Sequence, residues 1–169
     1  MTIENSEQEL FDSKKYISSK IQSSLPLSYL IRPLKRNDYQ HGYIQLLSQL
    51  SKVGNITAEQ YKKRFDFLKQ KQSSFIVVVE NQNVIVACAT LLIEYKFLHE
   101  CSNVGHIEDV VVDKSERGNR LGKRLIDQLH YIAQQTNCYK TILNCSREKI
   151  LFYEKCQLKE TDVQMTRYF

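Results

Sequence analysis

Between Gly105 and Lys123 the chain reads GHIEDVVVDKSERGNRLGK, and this stretch concentrates the residues able to do chemistry. Two adjacent carboxylates, Glu108 and Asp109, stand inside an apolar run from Ile107 to Val112. The three consecutive valines that end the run favour a buried strand. A polar turn from Asp113 to Glu116 follows, and then Arg117-Gly118-Asn119-Arg120-Leu121-Gly122-Lys123. Beyond it Leu121, Leu125, Leu129, Ile132 and Ala133 recur on one helical face. A strand feeding a glycine-bearing turn that opens a helix presents unpaired backbone N–H groups to an anion, most often a phosphate. Arg117, Arg120, Lys123 and Arg124 crowd that helix start, where the macrodipole is already positive. Each cation misplaced there costs from a few tenths to about 1 kcal/mol, and a bound anion turns the cost into attraction.

The loop is not a P-loop: Gly118 to Gly122 is one residue short, and Arg124 stands where a magnesium-binding Ser or Thr is needed. The G-x-G-x-x-G dinucleotide pattern is absent too. Composition sets the remaining bounds. A chain of 169 residues with 42% hydrophobic and 25% charged residues is one globular domain with a real core. A net charge of +5 suits a polyanionic small ligand as well as nucleic acid and does not choose between them. Five cysteines without C-x-x-C spacing argue against a disulfide framework or a zinc site. No apolar run reaches membrane-span length, and Met1 to Ser24 is too polar for a signal peptide, which points to a reducing, cytoplasmic setting.

The elements that must position these residues can be read in order. Residues 1–26 form a polar extension, with Leu10, Phe11, Ile17 and Ile21 as a weak stripe, and 27–169 form the domain. Tyr29 to Arg32 is a short strand closed by Pro33. Asn37 or Asp38 caps a helix to about Lys52, with Tyr43, Leu46, Leu47 and Leu50 inward, and Thr57 with Gln60 makes a capping box for a second. Phe75–Glu80 and Val84–Glu94 read as a hairpin across Asn81-Gln82-Asn83. After the basic helix come a strand from Lys140 to Cys145, a short helix from Glu148 to Cys156 and a last strand from Val163 to Tyr168. The expected fold is α/β (α+β): a mixed central sheet of six to seven strands, flanked by helices on both faces.

The remaining pattern, R-x-x-x-x-G, resembles the Q/R-x-x-G-x-G/A pyrophosphate loop of the GNAT acetyltransferase superfamily, with Arg120 at the central glycine. The order of elements is the GNAT order. Four further stretches, IEYKFLHE from Ile93, GHIEDV from Gly105, NCYK from Asn137 and FYEKC from Phe152, resemble the eukaryotic glucosamine-6-phosphate N-acetyltransferases. That resemblance implies acetyl-CoA as co-substrate, no metal, glucosamine 6-phosphate as acceptor on the route to UDP-N-acetylglucosamine, and a direct ternary-complex transfer. It implies that backbone near Val110, Val111 and Val112 pairs with the pantetheine arm by strand addition. It assigns Arg117, Gly118, Asn119, Arg120, Leu121, Gly122 and Lys123 to the pyrophosphate, with Lys149, an asparagine in the family, near the pantetheine. Tyr153 would stabilise or protonate the departing thiolate; by itself it reads as a core aromatic beside Phe152. Glu108 and Asp109 would deprotonate the acceptor ammonium, provided that a β-bulge turns both to one site and the apolar strand raises a carboxyl pKa. Either alone reads equally well as a strand-end carboxylate paired with Lys or Arg. Sugar phosphate recognition falls to Ser51, Lys96, Phe97, Leu98, His99, Glu108, Asp109, Tyr139, Lys140, Asn144 and Arg167. Asn144 replaces an acidic residue, and Gln157 replaces a helix-ending glycine. Tyr139, Lys140 and Arg167 would come from the neighbouring subunit of a homodimer that exchanges its last strand.

Two rival readings stay open. The acceptor could be another small amine or a protein amine. A nucleic-acid-binding module using residues 114–124 is disfavoured, because no aromatics interleave the basic residues.

Overall fold

The computed structural model describes residues 8–169. Five strands form one sheet in the order β1-β2-β3-β4-β5: β1 (Tyr29–Pro33), β2 (Ser74–Asn81), β3 (Val84–Glu94), β4 (Asn103–Val112) and β5 (Cys138–Ile142). The first four pair antiparallel and β4 pairs parallel with β5, as expected when a helix carries the chain back across the sheet. That helix is α6 (Leu121–Gln135). Its predicted stripe is buried as drawn, and Ile126 and Gln128 join it. Each fully buried Leu or Ile there contributes about 1.5–3 kcal/mol.

The sheet is covered on both sides. Phe75, Val77 and Val79 of β2 face α6, whereas Ile76 and Val78 face the side of α3 (Tyr43–Ser48) and α4 (Ala58–Lys71). Burial on both faces explains why β2 is a continuous apolar run instead of an alternating one. The capping box of α4 is present on both sides, Thr57 with Gln60. Gln82 and Asn83 take the left-handed backbone that a tight hairpin turn requires. The described part of the N-terminal segment packs on the same domain. It forms α1 (Ser13–Tyr16) and α2 (Ser19–Ser23), and Leu10 is buried. Gln128, fully buried on α6, accepts from the Ser18 N–H at 3.0 Å and donates to the Tyr16 carbonyl at 2.7 Å.

Several expectations are corrected. Five strands form among the described residues instead of six to seven. Val163 to Tyr168 pairs with nothing among the described residues and its side chains are exposed, because alternation prepares a segment to pair but supplies no partner edge. The helix expected from Asn37 or Asp38 begins only at Tyr43. Asp38 is instead the fully buried partner of Arg32, in a bidentate pair at 2.8 and 2.9 Å, and also accepts the Lys35 N–H. The strand expected from Lys140 starts at Cys138. The helix expected from Glu148 is α7 (Ile150–Glu154), entered through a 3-10 turn at Arg147–Lys149. No helix among the described residues is long and apolar enough to cross a membrane.

Candidate active site

Strand β4 carries the centre of the site because its ladder is interrupted on both edges. Toward β3, Cys88 pairs with Val111 and Thr90 with Glu108, so Asp109 and Val110 together oppose Ala89. This is a β-bulge, and Asp109 takes φ 52° within it. A bulge undoes strict alternation. Glu108 and Asp109 therefore open into the same cavity of about 110 Å³, which is also lined by Asn144, Cys145, Lys149 and Tyr153. Toward β5, pairing ends at His106 with Ile142, so the backbone from Ile107 onward has no strand partner on that side. A parallel pair that parts in this way leaves N–H and C=O groups open to an extended ligand.

Both carboxylates are exposed, so the apolar strand does not withdraw them from water; the bulge supplies convergence and not burial. Tyr153 differs. It is half-buried against Phe152, with ring centroids 5.0 Å apart. Burial raises its phenol above the ordinary value of 10, with Cys145 and Cys156 adding smaller contributions of the same sign. It therefore holds its proton throughout the neutral range. Leu50, Leu143 and Cys145 complete the cavity and were missed in the sequence. Apolar and thiol side chains carry no pattern of their own, and only their adjacency to Ser51 and Asn144 could have pointed to them.

The basic loop runs from Asp113 to α6. A 3-10 turn at Lys114–Glu116 leads to Gly118 at φ 97° and to Arg120 at φ 57°, then to a helix start with no side-chain cap. Arg120 thus adopts the left-handed conformation that a glycine would take without strain. The N–H groups of that first turn therefore have no side-chain acceptor. Of the four cations there, Lys123 is paired with Asp127 at 2.7 Å, and Arg124 donates to the carbonyls of Ser24 and Asn119. Arg117 and Arg120 are exposed, and no ion pair holds either among the described residues. Gly122 has a packing role: a Cβ there would lie 3.2 Å from the Phe152 ring.

The residues expected to recognise a sugar phosphate do not converge on this cavity, Glu108, Asp109 and Asn144 excepted. His99 stacks on Tyr139 with centroids 4.1 Å apart, and the Lys140 ammonium lies 5.6 Å from the same ring. Lys96 pairs with Glu94, which also holds His106 Nε2 at 2.8 Å. Phe97 and Leu98 are exposed at the edge of α5 (Leu98–Cys101), a turn with left-handed backbone at His99, Glu100 and Cys101. Ser51 is exposed just past α3. Arg167 is exposed in the terminal segment, against Phe169. No group of three or more metal-ligating side chains occurs among the described residues.

Comparison with known proteins adds a second line of observation. The acetyltransferase (GNAT) family model matches residues 36–157. Glucosamine 6-phosphate N-acetyltransferase 1 of Dictyostelium discoideum is 41% identical over 140 residues, 81% of this chain and 88% of that protein. The glucosamine 6-phosphate N-acetyltransferase of Candida albicans is 40% identical over 86% of this chain and 99% of its own length. Among solved structures, that of glucosamine-6-phosphate N-acetyltransferase from Arabidopsis thaliana superposes with a TM-score of 0.82 at 40% identity, over 83% of this chain and 98% of that one.

Proposed function

The chain belongs to the GNAT acetyltransferase family, and from that premise we propose that it moves the acetyl group of acetyl-CoA to the amine of glucosamine 6-phosphate. One observation carries the reading: two carboxylates of a bulged strand and a protonated tyrosine open into one cavity, where that strand parts from its neighbour. The coenzyme's extended arm adds to the open edge of β4 at Val110 to Val112 and runs past Lys149, and its pyrophosphate meets Arg117 to Lys123 at the uncapped start of α6. An amino sugar titrates near pH 8 and reaches the site largely protonated. One of the two carboxylates takes that proton. The neutral nitrogen then attacks the acetyl carbonyl carbon, the carbon–sulfur bond breaks, the Tyr153 hydroxyl protonates the departing thiolate, and the second proton that the new amide nitrogen sheds restores the phenol. Because burial keeps the phenol protonated, it is a donor at neutral pH.

The acceptor phosphate is read by Lys96, His99, Tyr139, Lys140 and Arg167, with Ser51, Phe97, Leu98 and Asn144 shaping the sugar side. The last strand is exchanged in a homodimer, so Tyr139, Lys140 and Arg167 serve the neighbouring subunit's cavity. Two features support this: β5 ends the sheet with Tyr139 and Ile142 exposed, and the terminal segment alternates Val163, Met165 and Arg167 with nothing to pair against. The deciding measurement is thiol release from acetyl-CoA across glucosamine 6-phosphate, glucosamine, other amino sugars and lysine peptides. Glucosamine 6-phosphate should give the highest kcat/KM; a lysine peptide that outpaces it would overturn the acceptor assignment.

A further inference from the structure

The coenzyme loop contains a backbone conformation that its own residue disfavours. Arg120 has φ 57° and ψ 23°, a left-handed geometry that glycine alone adopts freely. Gln157 provides a contrast within the chain. It too is left-handed, at φ 68°, but it closes α7 through ordinary helix-end bonds, its N–H to the Glu154 carbonyl and the Leu158 N–H to the Tyr153 carbonyl. Arg120 has no such closure: it begins a helix, its carbonyl accepts only the first helical bond, from the Arg124 N–H, and its side chain caps nothing.

Its neighbours are instead fixed by distant parts of the chain. The Asn119 amide donates to Glu116 Oε2 at 2.9 Å and to the Tyr29 hydroxyl oxygen at 3.1 Å. The Tyr29 hydroxyl donates to the same Glu116 oxygen at 2.6 Å, and Asn81 reaches the other carboxylate oxygen at 3.3 Å. The Asn119 carbonyl accepts from Arg124 at 2.8 Å. On the other side of Arg120, Leu121 is buried in the core. One neighbour is pinned by hydrogen bonds and the other by burial, so the turn between them has no room to relax.

We propose that Tyr29, Glu116 and Asn119 form a clamp that enforces the left-handed turn at Arg120 and so aims the first N–H groups of α6 at the coenzyme pyrophosphate. The inference rests on the reading that this loop binds the pyrophosphate. Tyr29 is a positioning residue: it lies on β1 and acts through Glu116 and Asn119. The clamp also resolves an electrostatic difficulty, because a carboxylate inside a phosphate-binding loop repels its ligand. Glu116 is turned toward donors on β1 and β2, and its charge is taken up by their hydrogen bonds. Asn119 consequently serves the coenzyme by holding the backbone, its side-chain amide being committed to Glu116 and Tyr29.

Tyr29→Phe deletes one hydroxyl and leaves the ring in place. Calorimetric titration of the full chain with coenzyme A should show Kd rising about tenfold or more, the factor expected for one hydrogen bond to a charged group. The kcat at saturating acetyl-CoA should stay within about twofold, since the acetyl end is untouched. In an Arg120→Gly background the same substitution should move Kd by less than about twofold, because glycine takes the turn unaided. Should Tyr29→Phe fail to fold, Glu116→Gln, which keeps the side-chain shape and weakens the charge-assisted bonds, is carried through the same two backgrounds. An unchanged Kd, or an equal factor with and without Arg120, overturns the clamp. A wild-type chain that does not bind coenzyme A overturns the reading of the loop itself.

Discussion

The residues proposed to serve the coenzyme lie, Lys149 apart, between Val110 and Lys123 and follow one another along a strand, a turn and a helix start. The residues proposed to serve the acceptor run from Ser51 to Arg167, sit on separate elements and are largely exposed. His99, Tyr139 and Lys140 form one small cluster; Lys96 belongs to another with Glu94 and His106; Arg167 lies in a segment that pairs with nothing among the described residues. The difference follows from what each half reads. An extended arm and a pyrophosphate are bound through backbone groups, whose placement depends on local conformation and tolerates almost any side chain. A compact sugar phosphate is recognised by charged side chains brought from distant positions, and the proposed homodimer is what would bring them together.

The largest effect should separate the chemistry from both halves. Tyr153→Phe is expected to lower kcat by about a hundredfold or more, the range of general-acid contributions, while coenzyme A titrates normally. The alkaline limb of the wild-type kcat profile should lie above the ordinary phenol value of 10, because burial raises Tyr153, and should vanish in the variant. Next, Gly122→Val should damage the coenzyme half from inside. Its new side chain would meet Phe152 within 3.2 Å, forcing α7 away from α6. Overpacking of this kind costs about 1–3 kcal/mol, and coenzyme affinity should fall roughly tenfold or more. Affinity within a few-fold of wild type would detach that helix start from the coenzyme.

Arg167→Ala tests the dispersed half. The KM for glucosamine 6-phosphate should rise at least about tenfold, the worth of a charge-assisted contact, with coenzyme affinity unchanged. Unphosphorylated glucosamine should scarcely notice. Mixing subunits that carry Tyr153→Phe with subunits that carry Arg167→Ala should restore some activity, and verified exchange without recovery would make each subunit self-sufficient. The smallest effect concerns the scaffold. Asp66 is lowered by Arg36, Glu94 by Lys96 and then His106, and Asp113 by Ser115 and then Gln49. Their folded values lie below their unfolded ones, so their contribution to stability is present above roughly pH 4–5 and is lost as the pH falls through the lowered values. The melting temperature should decline over that acid range, and replacing Asp66 with Asn should flatten part of the slope.

Local patterns were legible because they report local physics. The stripe of α6 gave its buried face, Thr57 and Gln60 gave the start of α4, and three valines gave β4. Three features followed from partners the pattern does not contain. Asp38 looked like a helix cap until Arg32, on β1, drew it into the interior. Leu50 looked like a core residue yet lines the cavity, because α3 ends early. Val163 to Tyr168 looked like a strand and pairs with nothing among the described residues.

By itself the sequence determined the family, the cationic character of the helix start and the pair of carboxylates, since all are properties of residues close together in the chain. Only the tertiary structure decided that Glu108 and Asp109 share a cavity. That required a bulge in β4 opposite Ala89, and a bulge is a mismatch between two strands that neither strand states alone. The same is true of Arg120: its left-handed turn is held by bonds that start at Tyr29 and Arg124 and meet at Asn119, and sequence distance conceals such meetings.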